Sequence, residues 1–128
     1  MYEHHQRVID RLVAQFQADP ECQALIIGGS LARGWGRPDS DIDVLLLVSE
    51  QDFQRRMNEG RVLYFDQSIC DYEGGYIDGK YMDISYLHDA AERGNEPTRS
   101  AFVNCIITFS RVPELERWWL YRLYQPRA

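Results

Sequence analysis

Apolar residues recur at Val8, Leu12 and Phe16 in an otherwise polar opening segment. That is the spacing of one helical face, and it predicts a helix over residues 2–17 stopped by Asp19-Pro20. The period then changes. Gln23-Ala24-Leu25-Ile26-Ile27 is a short apolar run ended by Gly28-Gly29, which reads as a strand entering a sharp turn. Ser30-Leu31-Ala32-Arg33 can form one helical turn with Ser30 as its cap, and Gly34-Trp35-Gly36-Arg37-Pro38 breaks it. From Asp41 to Val48 the chain is apolar after its first three residues, without polar alternation, the pattern of a strand buried on both faces.

Further along, Ser49 can cap a helix over residues 50–57 that Asn58-Glu59-Gly60 ends. Residues 61–65 read as a strand and residues 70–76 as irregular or hairpin-like. Asp78-Gly79 has the composition of a turn pair and is predicted to open a strand over residues 79–86, with Asp83 in its middle. A short helix over 87–93 is expected to stop at Gly94-Asn95-Glu96-Pro97, and residues 105–109 form the last predicted strand. Pro113 then opens a helix over residues 113–124 whose Trp118, Trp119, Leu120, Tyr121, Leu123 and Tyr124 leave almost no polar face. A helix in a small domain normally hides one stripe, so this surplus predicts contact with a second copy or a partner subunit.

Chemistry concentrates between residues 28 and 43. Exposed amides at a helix start, with the hydroxyl of Ser30, suit phosphate oxygens. Asp41 and Asp43 lie at the entrance of their strand, and residues two apart on a strand project to one side, so both carboxylates can converge on one cation. Magnesium suits such a pair because it takes hard oxygen ligands and is shared between carboxylates and substrate phosphates. A carboxylate at Asp83, between Met82 and Ile84, is costly to bury alone and asks for a partner. It is read as the general base toward an acceptor hydroxyl, or as a further metal ligand. Arg33 borders the phosphate turn, where it can clamp phosphate or stay solvated. Ser40 can touch phosphate or orient Asp41 through a local bond to the backbone, the second being favoured. Lys80 lies an odd number of residues from Asp83 and is read as an exposed hairpin residue on the other strand face. His4, His5 and His88 lack ligand spacing with the cysteines, so no zinc site is assigned.

Gly28-Gly29-Ser30, Asp41-Ile42-Asp43 and Asp83 resemble the three-part signature of the DNA polymerase β-like nucleotidyltransferase superfamily. The string from Gly29 to Gly34, with Pro38-Asp39-Ser40-Asp41-Ile42-Asp43, is close to its small prokaryotic branch, and the resemblance covers roughly residues 20–90. It implies an α/β (α+β) fold, a mixed sheet with helices mainly on one side, forming one nucleotidyltransferase domain over residues 1–128. It further implies transfer of a nucleoside monophosphate, AMP first among them, from a triphosphate to a hydroxyl of a small molecule or protein. Catalytic and metal-holding roles then fall on Asp41, Asp43 and Asp83, with Mg2+ or Mn2+ as cofactor, and phosphate contacts fall on Gly28, Gly29, Ser30, Arg33 and Ser40. Relatives carry a helical acceptor-binding domain after this core, so a longer protein or a partner subunit is expected to supply that part. The second reading is a nucleotidyltransferase-like antitoxin or regulatory subunit that binds, and can itself modify, a partner protein.

Composition narrows the class. A chain of 128 residues suits one domain that buries about two-thirds of its unfolded surface. Cys22, Cys70 and Cys105 are odd in number and widely spaced, which fits a reducing cytoplasm better than a disulfide framework. Apolar runs fall well short of the ~20 residues a membrane span needs, and no signal peptide is read. The net charge of −6 argues against broad nucleic-acid binding, which needs a basic face.

Overall fold

The computed structural model describes residues 1–93, 105–113 and 115. Helix α1 (Glu3–Gln17) turns His5, Val8, Ile9, Leu12 and Phe16 inward, as its apolar period requires. Strand β1 (Cys22–Gly28) leads through the four-residue α2 (Gly29–Ala32) to β2 (Ile42–Val48). Helix α3 (Glu50–Glu59) follows, with the Ser49 hydroxyl accepting the Asp52 amide at 3.1 Å and Gly60 closing it in the left-handed region at φ 69°. Strands β3 (Leu63–Asp66) and β4 (Ile77–Met82), helix α4 (Ile84–Arg93) and strand β5 (Ile106–Ser110) follow among the described residues.

The strands form one five-stranded mixed sheet in the order β3-β4-β2-β1-β5. Only β2 and β4 run parallel, and their register pairs Ile42 with Ile77 and Asp43 with Asp78. Alternation sorts the side chains of these two strands. Ile42, Val44, Leu46 and Ile77 join Leu12 and Phe16 of α1 on one face. On the other, Leu47 and Met82 pack with Ala24, Ile26, Leu87 of α4 and Leu115. Each fully buried leucine here contributes about 1.5–3 kcal/mol relative to exposure.

Three sequence expectations are corrected. Ser30 does not cap α2: the cap is Gly28, and Ser30 lies inside the turn. Asp78-Gly79 is not a turn but the second and third residues of β4. Asp83 is not in the middle of a strand. It stands between β4 and α4, where its Oδ1 accepts the Tyr86 amide at 2.8 Å and its carbonyl accepts the Leu87 amide at 3.2 Å. The helix start at Ile84, three residues earlier than the sequence suggests, follows from this aspartate cap. The aromatic helix and the Gly94 to Pro97 stop lie outside the described residues. No helix among those described is long and apolar enough to cross a membrane.

Candidate functional site

The end of the sheet where β1 finishes and β2 and β4 begin gathers the acidic residues. Antiparallel pairing sets Gly28 against Asp43, and parallel pairing sets Asp78 against Asp43 from the other side. Carboxylate oxygens of Asp41, Asp43 and Asp78 lie within 4.8 Å of one another. Burial pushes the Asp43 carboxyl up to about 6, and the negative charges of Asp41 and Asp78 add to that push. Three acids this close repel one another, and a hard divalent cation relieves the repulsion through oxygen ligands. The donor set therefore fits Mg2+ or Mn2+.

Gly29 makes this approach possible. Its φ of +67° belongs to the left-handed region, and a Cβ there would overlap the Asp43 carboxylate, coming 2.9 Å from Cγ. At Gly79, a Cβ would come within 2.6 Å of the Val44 carbonyl oxygen, so a glycine lets β4 close up on β2 beside the acids. The Gly28-Gly29 turn and the acid cluster are thus one packed unit.

Asp41 sits just before β2 and is held from outside. Tyr72 donates its hydroxyl to the Ser40 carbonyl at 2.8 Å, and His5 Nε2 bonds the same oxygen at 3.2 Å, which makes it the protonated nitrogen. His4 Nε2 reaches the Pro38 carbonyl at 2.7 Å. The Ser40 hydroxyl accepts the Arg37 amide at 2.8 Å and so closes the turn before Asp41, in line with its expected local role. Tyr76 stands beside Asp41, whose charge raises the Tyr76 hydroxyl. The sequence reading did not single out Tyr72 or Tyr76.

Of the residues expected at the site, Gly28, Gly29, Asp41 and Asp43 are brought together. Ser30 and Arg33 lie on and just after α2, Arg33 exposed. Asp83 is not brought in: it follows the end of β4, five residues beyond Asp78, and is not part of the acid cluster. Its burial partner is the start of α4. Asp78 was missed because Asp-Gly reads as a turn, yet the sequence carried a signal: Ile77-Asp78 repeats the dipeptide Ile42-Asp43 that it pairs with.

A cavity of about 470 Å³ opens on the same face, reaching from Gly28, Gly29, Asp43 and Asp78 past Lys80 to Met82 and Tyr86. It is acidic at one end and apolar at the other, which matches a ligand with a charged head and a ring-bearing body.

A family model described as a nucleotidyltransferase domain matches residues 8–103. A solved structure described as "Crystal structure of the toxin-antitoxin with AMP-PNP" aligns with a TM-score of 0.44 at 12% sequence identity, covering 96% of this chain and 86% of that one. Among curated proteins, no significant sequence match is found.

Proposed function

Since the chain belongs to the nucleotidyltransferase domain family, whose model spans residues 8–103, we propose that it transfers a nucleoside monophosphate from a triphosphate to an acceptor hydroxyl. The observation that carries this reading is the convergence of Asp41, Asp43 and Asp78 within 4.8 Å beside the Gly28-Gly29 turn. Asp41 and Asp43 would hold Mg2+ or Mn2+, with Asp78 completing the acid set. When bound, the metal would offset charge on the phosphates and on the leaving pyrophosphate.

The chain's own residues supply positioning and proton transfer. Ser30 and the amides of α2 bind the β and γ phosphates, with Arg33 at the edge of that turn. Asp78, the exposed member of the cluster, takes the proton of the attacking hydroxyl. The Tyr72 and His5 bonds to the Ser40 carbonyl hold Asp41 at its station. We take AMP as the transferred group and a hydroxyl of a small molecule or protein as its acceptor. Asp83 is assigned a structural role as the cap of α4. Pyrophosphate release from Mg-ATP tests the reading: Asp43→Asn should abolish it while the fold persists, and turnover retained in that variant contradicts the assignment.

A further inference from the structure

We propose that Lys80 grips the α-phosphate of the nucleotide in this site; the inference rests on the functional reading above and adds a residue to it. Lys80 is two residues after Asp78 on β4, so both project from the same face, about 7 Å apart along the strand. Its cross-strand partners are Leu45 on β2 and Leu63 on β3, and it lines the cavity that holds Asp43 and Asp78. It is the only lysine in the sequence. Among the described residues that line the cavity it is the single cation, and among described residues no ion pair engages its ammonium. A side chain of this length, exposed in the cavity that holds Asp43 and Asp78 and without an ion-pair partner among the described residues, is placed for an anion that arrives with the ligand.

Topology says which phosphate that is. The turn of α2 follows β1 on one side of β2, whereas Lys80 is on β4 on the other side. A triphosphate with its β and γ groups on the turn crosses the carboxylates of β2 with its α-phosphate toward β4. Lys80 is therefore remote from the leaving pyrophosphate and next to the phosphorus under attack. During transfer the acceptor oxygen bonds to the α-phosphorus, the bond to the bridging oxygen of pyrophosphate breaks, and the acceptor proton passes to Asp78. The non-bridging oxygens of the α-phosphate carry negative charge throughout, and an ammonium aimed at them stabilises it.

The test is displacement of a fluorescent ATP analogue from the full chain by AMP, by Mg-pyrophosphate and by Mg-ATP. Lys80→Met should weaken AMP about tenfold, the size of one charge-assisted contact, while leaving pyrophosphate within about twofold. Lys80→Arg should recover most of the AMP affinity, which a loss of packing would not do. Thermal unfolding confirms that both variants fold. Unchanged AMP affinity in Lys80→Met, an equal loss for pyrophosphate, or a wild type that binds Mg-ATP but not AMP each overturns the proposal alone. A wild type that binds no nucleotide overturns the functional reading with it.

Discussion

Asp43 and Asp78 are register partners across the single parallel strand pair of the described sheet, each preceded by a buried isoleucine that pairs with its counterpart. Because parallel strands start at the same end, this pairing delivers two acids to one end of the sheet without any loop to hold them. Asp41, two residues before Asp43, adds the third.

The two candidate third acids should separate cleanly on substitution. Asp78→Asn is expected to remove nucleotide transfer, by at least about a hundredfold, with stability unchanged or raised because it relieves repulsion at Asp43. Asp83→Ala is expected to keep transfer and lose about 1–2 kcal/mol of stability, the loss of a helix cap. Paired assays of pyrophosphate release and urea unfolding read both effects.

Gly29→Ala should be far more damaging than Gly34→Ala, although both glycines have positive φ, 67° and 82°. At Gly34 a Cβ meets nothing within 4 Å, so the cost is backbone strain alone, about 1 kcal/mol. At Gly29 the same strain is joined by collision with the Asp43 carboxylate. The variant should lose more than about 2 kcal/mol by urea unfolding and should lose nucleotide binding with it.

Acidity near the cluster has a defined sign. The folded Asp43 carboxyl, at about 6, lies above its ordinary 3.8, so the folded state binds a proton more tightly than the unfolded state. Stability is therefore present in full below about 4 and is lost as pH rises through about 6. After solvent screening the effect is on the order of 1 kcal/mol, or roughly 3 °C in melting temperature. The metal-free protein should melt higher at pH 5 than at pH 7 by that margin relative to Asp43→Asn, and Mg2+ at pH 7 should restore the loss.

His5 acts in the opposite sense. It is fully buried, and burial lowers its imidazole below the ordinary 6.5. A His with a depressed folded value contributes stability that is present above pH 6.5 and lost as pH falls below it. His5→Gln should flatten the acid limb of the stability profile. Tyr72→Phe, which removes the other bond to the Ser40 carbonyl, should cost about 1 kcal/mol at every pH and lower the affinity for Mg2+ by releasing Asp41. Melting curves across pH, with Mg2+ titrations of both variants, separate the contributions.

Much of this architecture is legible in local chemistry. The apolar stripe at Val8, Leu12 and Phe16 finds α1, the Ser49 and Gly60 caps find α3, and the Gly28-Gly29 turn finds the end of β1, because each signal is a short-range constraint. Ser30 is not the cap because α2 starts two residues earlier than a cap at Ser30 would place it, with Gly28 in the extended conformation a cap requires. Asp78 joins the acid cluster and Asp83 does not, for a different reason. Asp-Gly is a turn in isolation and a strand segment only when β2 lies alongside, where Gly79 can pack against the Val44 backbone. Lys80 is an odd number of residues from Asp83 and so reads as lying on the other face; its even separation from Asp78 puts it on the face of the site.

If Asp41, Asp43 and Asp78 form a metal-dependent nucleotide site, ATP should bind only in the presence of Mg2+, which calorimetric titration of ATP with and without Mg2+ reads. Binding that requires Mg2+, and that is lost in Asp41→Ala/Asp43→Ala and in Asp78→Asn but kept in Asp83→Ala, is the expected result. ATP binding that is indifferent to Mg2+, or that survives in Asp41→Ala/Asp43→Ala, contradicts it.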